Sequence, residues 1–132
     1  MSEQKRYPVG AIISADLTVP NADALLGFYQ AVIGWDSEAL TMQDEQGTYA
    51  DHVVKDQTGQ WVGGICHQRG VNADLPPVWL VYIQVADIAK SLEQCVALGG
   101  EVLKRSYLED GSLQYAVIKD PAGAVLALTR ES

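Results

Sequence analysis

The chain has 132 residues, 48% of them hydrophobic and 20% charged, the proportions of one ordinary globular domain, which exclude a disordered, coiled-coil or collagen-like chain. Seventeen acidic residues against nine basic ones leave a formal charge of −8, a field that repels phosphate backbones and anionic headgroups, so neither nucleic acid nor a membrane surface is an expected partner. No apolar run reaches the roughly 18–20 residues that span a bilayer, and the opening Met-Ser-Glu-Gln-Lys-Arg lacks the apolar segment of a secretory signal; both predict a cytoplasmic protein.

In chain order, the hydrophobic pattern predicts a strand over 11–19, a helix over 22–33 and strands over 35–41, 48–55 and 60–67. After a polar, proline-bearing linker at 69–77 come a strand over 78–85, a helix over 87–98 and strands over 101–108, 113–119 and 124–130. Asn21 and Asp87 are expected N-caps, and Gly34 and Gly99 or Gly100 expected stops. The two halves repeat each other. Val19 and Val85 precede the two helices at an offset of 66 residues, and the turn beginning at Asp56 returns at Asp120 with an offset of 64. Each half therefore reads βαβββ, giving an α+β domain of two modules, about 8–68 and 78–131. Cys66 and Cys95 stand in no metal or redox spacing and are expected to be reduced, small apolar side chains.

Alternation along the strands separates two faces. Ile13, Ala15, Leu17 and Val19 belong under a helix, as do Val81, Ile83 and Val85, which leaves a polar face of Ser14, Asp16 and Thr18 and a mixed one of Leu80, Tyr82 and Gln84. The same reading turns Asp51, Trp61, Gly63, His67 and Tyr115 toward the polar side and His52 toward the helix. A curved sheet with such an inner face suits a binding cup better than a core. Its aromatic rings suit flat or cationic organic ligands, and Gly63-Gly64 marks a bulge or a close approach of backbone.

The paired modules, the Val19–Trp35 stretch with its F-Y-x-x-V-x-G-W signature and the K-D-P-A-G turn at 119–123 together resemble the vicinal oxygen chelate superfamily. That superfamily contains glyoxalase I, bleomycin-resistance proteins, fosfomycin-resistance enzymes and extradiol dioxygenases. The resemblance implies a half-open, cup-shaped sheet, a homodimer, and, in metal-dependent members, an ion held by one residue on the first and one on the last strand of each module. Carried over, those positions are Ser14, Gly63, Leu80 and Ala127, of which three have no donor and one is a weak hydroxyl. The resemblance therefore comes without its metal site, and no cofactor is expected. An off-pattern ion on Asp16, Asp51 and His67 is the remaining metal reading.

The expected function is metal-independent binding of a small organic molecule by Ser14, Asp16, Thr18, Asp51, Trp61, His67, Tyr82, Gln84 and Tyr115, with the carboxylates and the net charge favouring a cationic or hydroxyl-rich ligand. The alternative is a glyoxalase- or dioxygenase-like enzyme, with relocated metal ligands or with Asp16 and Tyr115 as acid and base. A third reading is a non-catalytic module that docks another protein.

Overall fold

The computed structural model describes residues 7–130, so the opening hexapeptide read above for its lack of a signal, and the end of the second module at 131, lie outside the described residues. The elements run β1 (Ile12–Val19), α1 (Ala22–Ile33), β2 (Asp36–Asp44), β3 (Gly47–Lys55), β4 (Trp61–His67), β5 (Trp79–Gln84), α2 (Ile88–Ala97), β6 (Glu101–Tyr107), β7 (Leu113–Lys119) and β8 (Val125–Thr129). A single 3-10 turn, Gly70–Asn72, lies in the linker. The α+β class and the βαβββ order of each half are those the sequence predicts.

Two compact units divide the chain, Ala15–Trp79 and Leu80 onward, the latter together with the described residues up to Ser14. In the first, the strand order is β2-β3-β4-β1, with β1 and β4 parallel and the others antiparallel. In the second it is β5-β8-β7-β6, with β5 and β8 parallel. The segment before β1 joins the second unit through backbone bonds, Gly10 N–H to the Gln84 carbonyl at 2.8 Å and Gln84 N–H to that of Ala11 at 2.9 Å.

Each helix covers one face of its own strands. In the first unit Leu17, Val19, Val54 and Ile65 are buried with Ala22, and Leu25, Leu26 and Tyr29 of α1 pack on them. Aliphatic side chains recur at every second strand position and at three- to four-residue spacing on the helix, so both surfaces leave water together. Trp79, which the sequence assigns to the start of the second module, belongs to this core. Its indole N–H donates to Tyr29 Oη at 3.1 Å, and its ring meets those of Tyr29 and Trp35 edge-on. In the second unit Ile88 and Leu92 of α2 pack with Ala116 and Leu128, flanked by Val85, Val102, Ile118 and Leu126.

The expected caps divide. Asp87 accepts the Lys90 N–H at 3.2 Å and caps α2, whereas Asn21 occupies the N-cap position of α1 with no side-chain cap bond, its backbone ψ of 56° departing from extended geometry. The repeated Lys-Asp turns are Asx turns in both units. Asp56 Oδ1 accepts from Thr58 and Gln60, and Asp120 Oδ1 from Ala122 and Ala124.

One close approach decides the register of the first unit. Ala15 lies beside Gly63 in the β1–β4 ladder, and a Cβ at Gly63 would strike the Ala15 carbonyl oxygen, a backbone atom that cannot swing aside. Gly63→Ala is expected to cost about 1–3 kcal/mol. Gly27 lies in the interior of α1 with nothing within 4 Å of the point a methyl group would occupy, and Gly27→Ala is expected to gain about 0.5–1 kcal/mol. Urea unfolding of the two variants checks both signs.

Candidate functional site

In the first unit the face away from α1 carries Asp16, Thr18, Asp51, Gly64 and Cys66, because Asp16 pairs with Gly64 and Thr18 with Cys66 across β1 and β4, while Val53 pairs with Gly64 across β3 and β4. Thr18 and Asp51 are buried, at 3% and 4% exposure. A buried carboxylate needs partners, and Asp51 has them. Its Oδ1 accepts the His67 backbone N–H at 2.7 Å, with the His67 ring Nδ1 3.6 Å away. Burial, then the fields of Asp16 and Asp51, push the Cys66 thiol far up, so it is held protonated and poorly nucleophilic.

Two residues predicted on this face stand elsewhere. Gly63 faces the helix side, between the Ala15 carbonyl and Val54. His67 pairs with the core residue Val19 and turns its Nε2 toward Asp23 of α1, 3.8 Å away. The cause is a register shift between Val54 and Lys55, where one step on β3 answers two on β4, so alternation counted from Trp61 loses phase. Trp61 opens β4 opposite Lys55 and is 61% exposed.

His52 and His67 both approach Asp23, His52 Nε2 lying 2.7 Å from Oδ1. His67 Nδ1 is buried without a hydrogen-bond partner, 3.6 Å from Asp51 Oδ1. Beyond β4, Arg69 grips Asp44 at the end of β2 with Nε to Oδ2 at 2.7 Å and Nη2 to Oδ1 at 2.8 Å. Its guanidinium lies 4.2 Å from the centre of the Tyr49 ring, and Tyr49 Oη donates to the Arg69 carbonyl at 3.3 Å. Tyr49 meets the His67 ring edge-on at 5.6 Å. Burial, then Asp51 and Asp44, push the Tyr49 phenol up, which keeps it a donor. None of Asp23, Asp44, Tyr49 or Arg69 is a candidate on sequence grounds. Arg69 and Asp44 are 25 positions apart with no local pattern to connect them.

In the second unit, Tyr82 and Gln84 of β5 pair with Ala127 and Thr129 of β8, and Tyr115 of β7 with Thr129. The Tyr82 and Tyr115 rings meet at 5.8 Å, inclined by 67°, and Gln84 is buried at 7% exposure. Ser14 falls in this unit and Asp16 in the other, as do the expected acid–base partners Tyr115 and Asp16 respectively.

The ladders align the repeat more finely than the sequence does. Asp16 and Thr18 correspond to Tyr82 and Gln84, so their parallel partners Gly64 and Cys66 correspond to Ala127 and Thr129, and Asp51 corresponds to Tyr115. The position matching Ala127 is thus Gly64, one residue beyond Gly63. The metal implied by the fold fits these residues poorly. Gly64, Leu80 and Ala127 carry no donor, and the space a side chain would need at Gly64 is bounded by Asp16 Oδ1, 2.9 Å from the Cβ position. Among the described residues no group of three or more His, Cys, Asp or Glu is arranged to hold a metal ion. Among them, too, no helix is long and apolar enough to cross a membrane.

Paired βαβββ units, each with an aliphatic helix-facing side and a polar opposite side, define an α+β protein of the vicinal oxygen chelate type. Residues 13–129 match the glyoxalase-like domain family, and the chain belongs to it. It is 26% identical over 129 residues to the CFP32 protein of Mycobacterium tuberculosis, whose name assigns it provisionally to the glyoxylases, with 97% of this chain and 48% of that protein covered. It is 25% identical over 138 residues to the anthracycline biosynthesis protein DnrV of Streptomyces peucetius, covering 96% of this chain and 49% of that one. The chain spans about half the length of the curated relatives it matches. Among solved structures, a Streptomyces coelicolor methylmalonyl-CoA epimerase variant in complex with 2-nitronate-propionyl-CoA superposes with a TM-score of 0.55 at 15% identity, over 95% of this chain and 99% of that one. The Mycobacterium tuberculosis methylmalonyl-CoA epimerase gives 0.57 at 10% identity, over 98% and 93%. At these identities the likeness is one of fold.

The Arg69 hydrogen bonds hold the Asp44 carboxyl down at about 2, against an ordinary 3.8. A carboxylate depressed in the folded state stabilises it above its ordinary value and loses that contribution as pH falls through the folded one. The stability gap between the native chain and Asp44→Asn is expected to be constant from about pH 8 to 5 and to close between about pH 4 and 2. Urea unfolding across that range measures it.

Proposed function

We propose that the chain binds a small organic ligand on the polar faces of its strands, and does so without a metal ion at the family's ligand positions. The observation that carries this reading is the residue set at those positions, Ser14, Gly64, Leu80 and Ala127, with the Asp16 carboxylate bordering the space at Gly64. Where a metal-dependent relative would offer lone pairs to an ion, this chain offers a half-exposed carboxylate beside a threonine hydroxyl in one unit and two phenols beside a buried amide in the other. A carboxylate rewards an ammonium or a dense set of hydroxyls, and phenol rings reward a flat apolar body.

An amine-bearing compound fits the carboxylate of the first unit, and the anthracycline in one relative's name supports the choice of probe. The net charge of −8 favours the same sign of ligand. A cytoplasmic homodimer completes the reading, on the strength of the superfamily resemblance and the sequence composition.

Calorimetric titration with a cationic anthracycline and with its uncharged aglycone tests the proposal. Asp16→Asn is expected to weaken the cation by about tenfold or more, the worth of one hydrogen bond to a charged group, and to leave the aglycone within about twofold. Equal affinity of both proteins for the cation, or one ion per chain retained after desalting and lost in Asp16→Ala, would overturn it.

A further inference from the structure

We propose that the Arg69–Asp44 fork is a positioning element for Asp51, holding that carboxylate in place through Tyr49 and His67. The fork closes the β2–β3 hairpin onto the chain just past β4. Asp44 is the last residue of β2, paired with Gly47, and Arg69 stands two residues beyond His67, the last residue of β4. Both guanidinium contacts are short, at 2.7 and 2.8 Å, and land on separate carboxylate oxygens, the two-pronged geometry that only arginine supplies.

The rest of the connection runs through adjacent contacts. The guanidinium caps the Tyr49 ring at 4.2 Å while the Tyr49 hydroxyl returns a hydrogen bond to the Arg69 carbonyl at 3.3 Å, so Tyr49 is held at both ends. Its ring centre lies 5.6 Å from that of His67, the two planes meeting at 78°. Tyr49 and Asp51 are two residues apart on β3 and so share a face, and the His67 N–H is a donor to Asp51 at 2.7 Å. Gly70 marks how tightly the turn is seated, since a side chain there would meet Tyr49 Oη at 2.8 Å. With the fork cut, the turn after β4 is free to lift, the His67 N–H loses its aim at Asp51, and Cys66, the residue before His67 at the end of β4, is uncovered. Arg69 acts through the residues it orders.

The thiol of Cys66 reports this without any ligand. In a Cys95→Ala background, alkylation of Cys66 by iodoacetamide is followed in Arg69→Gln, Arg69→Lys and Asp44→Asn, alongside urea unfolding of each. Cutting the fork is expected to raise the alkylation rate about tenfold at low urea, where global unfolding contributes nothing, with Arg69→Lys rescuing little because an ammonium can neither fork nor stack. Unchanged rates in variants shown to be folded would overturn the proposal. So would rates that rise only in step with lost global stability, or full rescue by lysine. The consequence for binding rests on the proposed function: the same variants are expected to bind the cationic anthracycline about tenfold more weakly. Faster alkylation with no anthracycline binding by the native chain would sink the binding reading and leave the positioning role standing, and undiminished affinity in the fork variants would confine the fork's effect to Asp51 and Cys66. Should Arg69→Gln fail to fold, Asp44→Asn and Arg69→Lys decide the matter.

Discussion

The parallel ladder between the first and last strands of a unit is the contact on which the rest depends. A βαβββ unit buries its helix only if its last strand returns beside its first, and in the first unit that return is possible because Gly63 lets the backbone of β4 come against the Ala15 carbonyl. The ladder then sets both faces at once. On one side Leu17 and Ile65 are brought level under α1; on the other Asp16 meets Gly64 and Thr18 meets Cys66. Core and polar face are two outcomes of one register, and a slip by one residue would exchange them.

The same ladder in the second unit produces a different surface from the same positions. Asp16, Asp51 and Cys66 in one copy answer to Tyr82, Tyr115 and Thr129 in the other, while the buried core positions on the helix side, Leu17, Val54 and Ile65 in one and Ala116 and Leu128 in the other, stay aliphatic. Duplication has preserved what packs and varied what faces away from the helix. The buried Asp51 shows how such a face is maintained: a carboxylate at 4% exposure persists because a backbone N–H donates to it, and the His67 that supplies the N–H is kept in place by Tyr49 and the fork beyond it.

Most of the architecture was legible in the sequence, because strand alternation, helix spacing and the Asp56 and Asp120 turns are local signals, and the repeat doubles each of them. The polar positions on β1, Ser14, Asp16 and Thr18, follow from the same alternation. What alternation could not carry was the register shift opposite Val54, which misplaces Gly63 and His67 because parity is lost at an extra residue. The glycine pair at 63–64 was the one local hint of it. Nor does any spacing rule connect Asp44 with Arg69 or Asp23 with His52, since these contacts exist only once the hairpin and helix are folded onto the strands. Trp79 reads as the start of the second module and packs in the first unit for a related reason: its partners Tyr29 and Trp35 are about fifty residues away in the chain.

Membership of the glyoxalase-like family fixes the scaffold and leaves the chemistry to the residues on its faces. The proposal of an organic ligand rests on the positions that would hold an ion, which are Gly64, Leu80 and Ala127 with one serine, and on the carboxylate that borders the space at Gly64. The most direct measurement is a proton–nitrogen correlation spectrum of labelled protein, recorded with one equivalent of Mn2+ and, separately, with the cationic anthracycline. The account predicts that the anthracycline shifts the amide signals of Asp16, Gly64 and Cys66 and that Mn2+ does not selectively broaden them. Selective broadening of those signals by Mn2+, with no shift from the anthracycline, would contradict it.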